Sequence, residues 1–422
     1  MKLEMQHQPV SRRAQTALFR ASVLSWILVA GAAAQSGTYF VETVAGAPRL
    51  LGDNGPGTSA LLWSPQGVSV DNSGTLYLAD SGDGRIRKLT PSGTITTIAG
   101  STVGFGGDNG PAGSAQLAYP SKAVLGPNGD LLIVDTSNQR VRRVSTTGTI
   151  TTIAGTGTPG AAGDGDLAAN AQLNDPRDIA VDRTGAILVL DSNNARLRRF
   201  TVGGKISTVA GSGVLGYFGD QGPAVQAQLA SPKAFALDAA GNIYIADTGN
   251  NRIRKVTTDG SIYTVAGVGS PGFTGDGGSA SLASVRAPAG VAADGLGNVF
   301  IADTGNHRIR KIASNGVIST IAGGASAGFA GDNGPASAAL LNGPTSISVD
   351  LSGAVYFADS GNHRIRRISP QGVIATVAGS DPAAGDGGPS AKALLFQPSG
   401  VAFDSSGNLY IADTSNHRVR RV

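Results

Sequence analysis

From about residue 38 onward the chain repeats one rhythm of apolar runs and polar turns. Residues 345–350 (TSISVD), 354–359 (AVYFAD), 363–369 (HRIRRIS) and 373–379 (VIATVAG) are four such runs in succession. The breaks between them are Leu351-Ser352-Gly353, Ser360-Gly361-Asn362 and Pro370-Gln371-Gly372. Short β-rich runs punctuated by Gly, Asn and Ser predict antiparallel strands joined by tight hairpins.

An Asp closes the second run of each group. It falls at Asp80, Asp135, Asp191, Asp247, Asp303, Asp359 and Asp413, at intervals of 55, 56, 56, 56, 56 and 54 residues. Seven units of four strands predict an all-β, seven-bladed propeller. The seventh unit stops at Val422 after its third strand, NHRVRRV. The missing fourth strand stands at the other end, where TYFVETVAG (38–46) matches VIATVAG and SIYTVAG. The N-terminal strand is therefore expected to complete the last blade, a three-plus-one closure that also hides sheet edges.

Composition agrees with this. Glycine supplies 62 of 422 residues, about twice the usual share. Nearly every acidic residue is Asp, which suits turns, whereas Glu suits helices. No cysteine is present, so stability must come from packing and ring closure.

Ahead of the repeats, Arg12, Arg13 and Arg20 precede an apolar run from Ala21 to Ala34, with Ala32 and Ala34 placed as an A-x-A cleavage site. Residues 1–34 thus read as a signal peptide, and residues 38–422 as the propeller. The mature chain is expected to be secreted or periplasmic and not inserted in a membrane. Without residues 1–34, 29 basic residues face 28 acidic ones, so the net charge of +4 falls to +1. That balance gives no reason to expect a nucleic-acid partner.

One glycine-rich acidic loop recurs seven times. GDNGP begins at Gly52, Gly107 and Gly331, GDQGP at Gly219, GDGG at Gly275 and Gly385, and GDGD at Gly163. The carboxylates Asp53, Asp108, Asp220, Asp276, Asp332 and Asp386, with Asp164 in the variant copy, are the candidate binding residues on the loop face. Calcium is the cofactor such a loop would take, although one carboxylate is few for an ion that wants six to eight oxygens. The structural alternative makes each Asp the cap of a short turn begun by Gly-Pro-Ala, with residues such as Ala338, Leu341, Ala227 and Leu229 tucked inward. No metal and no cofactor is otherwise expected.

Each third strand carries a basic triplet, such as Arg252-Arg254-Lys255, and the triplets hold 21 of the 33 basic residues. The first arginine is expected to reach across the hairpin to the Asp that ends the second strand. The pairs would be Asp80 with Arg85, Asp247 with Arg252, Asp303 with Arg308, Asp359 with Arg364 and Asp413 with Arg418. His307, His363 and His417 share one turn position, where other blades carry Gly84, Gln139, Ala195 and Asn251, and read as exposed turn residues. Phe105, Phe218, Phe273 and Phe329 precede the Gly-Asp and are expected to pin the loop to the blade beneath. No nucleophile elbow, His-centred triad or P-loop is present, and no catalytic residue is assigned.

The run PSGVAFDSSGNLYIADTSNHRVR, from Pro398 to Arg420, resembles the NHL repeat, and similar copies extend from about residue 38 to the end. The T-[IV]-A-G strand ends followed by the GDGGPA-type loop are similar to the NHL blades of teneurin-type and exported bacterial proteins. The resemblance implies the propeller fold. It leaves function open, because NHL propellers include protein- and RNA-binding modules, sensor domains and a metal-dependent lyase. The reading is an exported, monomeric, non-catalytic binding platform for a protein or an extracellular or envelope polysaccharide. Two alternatives stand beside it: a metal-dependent lyase or lactone hydrolase with a central-channel site, and a structural envelope protein.

Overall fold

Burial along the strands follows the residue pattern. The second strands Leu131–Asp135 (LLIVD) and Ile187–Asp191 (ILVLD) are buried at every position. The third strands are mixed. In Arg252–Val256 (RIRKV), Ile253, Arg254 and Val256 are buried while Arg252 and Lys255 are half-buried. An apolar second strand and a mixed third strand place the second in the blade interior.

The computed structural model describes residues 40–45, 53–56, 65–70, 73, 75–378 (without 91, 93, 127, 351 and 363), 388–389 and 395–422 (without 396, 405 and 415–417). Residues 1–34, read above as a signal peptide, the Asp386 loop, His363 and His417 lie outside the described residues. All described residues fall within one compact unit, Thr38–Val422.

Seven antiparallel sheets are present. In the fourth blade the strands are Ala234–Leu237, Ile243–Asp247, Arg252–Val256 and Ile262–Ala266. The first strands of successive blades touch one another around the whole ring, including the seventh against the first. The closure is three-plus-one, as the sequence predicts. Phe40–Ala45 pairs antiparallel with Arg418–Arg421, joining Glu42 to Arg421 and Thr43 to Arg420. Regular helix is limited to three-residue 3-10 turns among the described residues.

The glycine-rich loop is more than a connection. Gly55–Pro56 adds to the outer strand of the first blade, pairing with Ile95 and Thr94. The next loop does the same to the second blade, where Ile150 N–H donates to Gly110 O and Asn109 N–H to Ile150 O. Each loop thus covers the outer edge of the blade that follows it. It then turns inward and fills the seam between blades. Ala112, Ala115 and Leu117 pack with Ala79, Ile86 and Ala99 of one blade and Ala123, Ile133 and Ile150 of the next. In the sixth copy Ala336, Ala339 and Leu341 are the buried residues, and Ala338, expected inward, is exposed.

The glycine before each loop Asp is required by that path. Gly331 has φ +92°, and a Cβ there would meet Ala339 Cα at 2.7 Å. The same clash, at 2.6 to 2.8 Å, recurs at Gly107, Gly163, Gly219 and Gly275. Only a residue without a side chain lets the loop lie this close to its own return limb.

Candidate functional site

Among the described residues the seven largest fully buried side chains are Arg87, Arg142, Arg198, Arg254, Arg310, Arg366 and Arg420, the second arginine of each triplet. A buried guanidinium is stable only when its donors are satisfied. Arg254 shows how. Its Nη2 and Nε donate to Asp220 Oδ1 at 2.7 and 3.1 Å. Its Nη1 donates to Gln228 O at 3.1 Å and reaches Asp247 Oδ2 at 3.4 Å. One arginine therefore joins the third strand to both limbs of the glycine-rich loop.

The pattern repeats. Asp53, Asp108, Asp164, Asp276 and Asp332 receive Arg87, Arg142, Arg198, Arg310 and Arg366 at 2.6 to 2.9 Å, always 34 residues downstream. Thr152 Oγ1 donates to Asp108 Oδ2 at 2.6 Å, and Thr208 Oγ1 to Asp164 Oδ2 at 2.5 Å. The loop aspartates are thus arginine and threonine acceptors, not turn caps. The 3-10 turns have no side-chain cap bond, and Pro111, Pro223 and Pro335 occupy the cap position. Burial pushes the Asp164 and Asp220 carboxyls upward. The bonds from Thr208 and Arg198, and from Thr264, Tyr217 and Arg254, outweigh it and hold both below the usual carboxylate value.

The strand-ending aspartates differ from expectation. Strand register does place Asp80, Asp247, Asp303, Asp359 and Asp413 directly opposite Arg85, Arg252, Arg308, Arg364 and Arg418. Yet their carboxylates face the second arginine, as with Arg87, Arg254, Arg310, Arg366 and Arg420 at 3.4 to 3.9 Å. Their shorter bonds are local. Asp247 Oδ1 accepts Ala230 N–H at 2.7 Å and Oδ2 accepts Asn250 Nδ2 at 2.8 Å. The first arginine instead leans outward. Arg252 lies 3.3 Å over the Tyr217 ring and donates to Asn250 O and Val268 O at 3.0 and 2.7 Å. The physical reason is direction: the residue two positions on shares the Asp face and is long enough to reach back, whereas the opposed arginine starts at the turn and lies over the loop. The Arg364 side chain is outside the described residues. Burial raises Asp135, Asp191, Asp247, Asp303 and Asp359 to about 6 despite these bonds.

The loop aromatics are also reassigned. Phe105, Phe273 and Phe329 lie beneath the guanidinium groups of Arg142, Arg310 and Arg366. In the fourth blade Tyr217, three residues before the Asp, takes that place, and Phe218 is left 66% exposed. Beside it Leu215 is 62% and Val214 56% exposed. On the second-blade loop Val103 and Tyr119 are also exposed. Asn138 of the neighbouring turn donates to Gly104 O, so this loop end lies against the turns that follow the second strands.

His307 is not a simple exposed turn residue. It is half-buried, and its Nδ1 accepts Gly343 N–H of the next blade at 3.0 Å. Gln139 and Asn251 make the equivalent bond to Asp175 and Ala287 N–H. Burial, then Arg286 and Arg308, hold the His307 imidazole below its ordinary value.

One pair on the first strands breaks the repeat. Lys122 Nζ meets Asp178 Oδ1 at 2.6 Å, joining the first strands of two blades. The matching positions hold Gly67, Ala234, Gly290, Ser346 and Gly400, so a charge among small residues was the available signal.

Among known proteins, the NHL repeat family matches residues 62–89, 173–200 and 397–422, and the Teneurin NHL domain family matches 214–274, 268–330 and 325–384. The chain belongs to the NHL-repeat family. This NHL propeller is 30% identical over 354 residues to mouse (Mus musculus) Teneurin-4, a match covering 75% of the chain and 12% of that relative. The chain therefore spans only a small part of the length of the teneurins it matches. Among solved structures, a streptogramin B lyase superposes with a TM-score of 0.58 at 15% identity, covering 91% of this chain and 97% of that one. Virginiamycin B lyase from Staphylococcus aureus gives 0.56 at 16% identity, covering 85% and 94%. At these identities the likeness is one of fold alone. Among the described residues of the NHL propeller no helix is long and apolar enough to cross a membrane, and no group of three or more His, Cys, Asp or Glu side chains has metal-site geometry.

Proposed function

We propose that this NHL propeller is an exported, monomeric binding platform that recognises a protein or an extracellular or envelope polysaccharide through its loop face. The supporting observation is the exposed apolar set Val214, Leu215 and Phe218, carried on a loop that Arg254 fastens to the blade. Large apolar side chains held in water on an anchored loop lose little further freedom when a ligand covers them. Aromatic and aliphatic anchors of this kind dominate binding energy at interfaces.

The test replaces Leu215 and Phe218 together with Ser in the purified mature chain. Binding to the organism's own envelope fraction is then compared with that of the unaltered chain. A loss of about tenfold or more with an unchanged melting temperature is expected. Equal binding by both proteins would remove the loop face from consideration.

A channel-centred enzyme is the second reading. The Lys122–Asp178 pair supports it, because this charge pair departs from the repeat on the first strands. Turnover of a lactone or lyase substrate that disappears in Asp178→Asn would favour it over the platform.

A further inference from the structure

A cavity of about 320 Å³ opens between the fifth and sixth blades, lined by Phe273, Arg286, Asn306, His307 and Arg308 among others. Two guanidinium groups and an imidazole line it, and no carboxylate does. The nearest acids are already engaged: Asp303 accepts Arg286 N–H and Asn306 Nδ2, and Asp276 accepts Arg310.

Arg308 carries the argument. In four other blades the equivalent arginine donates Nη2 to a carbonyl 16 residues downstream: Arg85 to Ser101, Arg140 to Thr156, Arg196 to Ser212 and Arg252 to Val268. Arg308 is only 8% exposed, and its one hydrogen bond goes from Nη1 to Asn306 O at 3.0 Å. The corresponding carbonyl, Gly324 O, receives nothing from it. A nearly buried guanidinium thus keeps an unused donor edge beside the cavity, with its charge resting 3.6 Å over the Phe273 ring.

His307 adds a second donor. Because Nδ1 accepts Gly343 N–H, the neutral ring carries its proton on Nε2. Arg286 adds a third, and it is particular to this blade. Ala118, Asn174, Ala230 and Asn342 hold the matching positions elsewhere. Gly305 makes room for it, since a Cβ there would meet Arg286 Cγ at 2.6 Å.

We propose that this cavity binds the carboxylate or sulfate of an acidic sugar residue, with Arg286, Arg308 and the His307 Nε2–H as donors and Phe273 as its apolar wall. Guanidinium groups pair with planar oxyanions through parallel N–H bonds. A volume of this order lies at the small end of ligand pockets and accommodates one ring. The proposal deepens the binding reading above and rests on the loop face being a binding face.

The test titrates the mature chain with glucuronate, inorganic sulfate and glucose. The readouts are calorimetry and the His307 ring resonances, the latter assigned with His307→Asn. Saturable binding of glucuronate that shifts His307 is expected, with glucose silent and Arg286→Ala weakening binding by about tenfold or more. Sulfate competing with glucuronate would identify the oxyanion as the recognised group. Arg308→Lys, read alongside, keeps the charge but loses the fork. Glucose binding as well as glucuronate, undiminished binding in Arg286→Ala, or an unperturbed His307 would each overturn the proposal. The Leu215/Phe218 double variant separates the two readings: it is expected to leave glucuronate binding intact whether or not it abolishes envelope binding.

Discussion

Asp220 and Arg254 stand 34 residues apart in sequence and 2.7 Å apart in space. The contact ties the loop entering the fourth blade to the third strand of that blade. Repeated around the ring, it explains why one acidic loop occurs so often: it is a joint that closes an edge, fills a seam and neutralises a buried arginine.

The two partners should not be equivalent on removal. Arg254→Ala strands two carboxylates and opens a cavity, so a loss of about 3–5 kcal/mol is expected. Asp220→Asn keeps a hydrogen-bond acceptor on a partly exposed side chain, and about 1–2 kcal/mol is expected. Urea unfolding of both variants and of the double variant checks the coupling. Strict additivity would count against the joint.

Gly331→Ala should destabilise the chain although the residue lies in a surface loop. The left-handed backbone and the 2.7 Å approach to Ala339 Cα both oppose a side chain. A cost of about 1–3 kcal/mol is expected from strain of this kind. Gly372→Ala, where φ is +80° but no atom lies within 4 Å of the added carbon, is the comparison. Equal losses would show that backbone conformation alone matters.

Stability should rise on mild acidification. Five strand-ending aspartates have folded values raised to about 6 from 3.8. Between those values the folded chain binds more protons than the unfolded one, so this contribution is complete below the unfolded value and is lost as pH climbs through about 6. Asp164 and Asp220 act oppositely: their folded values are lowered, and their contribution is lost only as pH falls through them, below the usual carboxylate value. His307, also lowered, opposes the gain as pH falls below its unfolded value. The urea midpoint at pH 5 is therefore expected above that at pH 7.5, with a decline near pH 3. A midpoint falling steadily from pH 7.5 to 5 would contradict the buried-carboxylate account.

Chelation should leave the melting temperature unchanged. The GDNGP, GDQGP and GDGG motifs offer one carboxylate each and GDGD two, and in Asp108 and Asp164 both oxygens already accept arginine and threonine donors. Calcium would have to displace those bonds and still find several more oxygens. A rise of several degrees on adding calcium, reversed by chelator, would turn the loops into ion sites.

Much of the architecture was legible because it is written in local chemistry. Seven strand-ending aspartates at near-constant spacing count the blades, and a C-terminal unit lacking its fourth strand meets an N-terminal segment that has one. The site was less legible. Asp247 faces Arg252 in register, so a reader of the sequence pairs them. Tyr217 and Phe218 are adjacent aromatics, and only the path of the loop decides which one lies under Arg254 and which faces water. The unused edge of Arg308 exists only by comparison with carbonyls bonded by its counterparts.

By itself, the sequence determined the strands, the turns, the blade number and the way the ring closes. Each of these follows from apolar alternation and from Gly, Asn and Asp at turns, which act over a few residues. The tertiary structure decided which carboxylate each arginine meets, which aromatic is exposed and where a buried cation is left with donors to spare. Those outcomes depend on a loop crossing the edge of the following blade. They were set by side-chain direction and burial across segments 34 residues apart, a range over which local pattern carries no information.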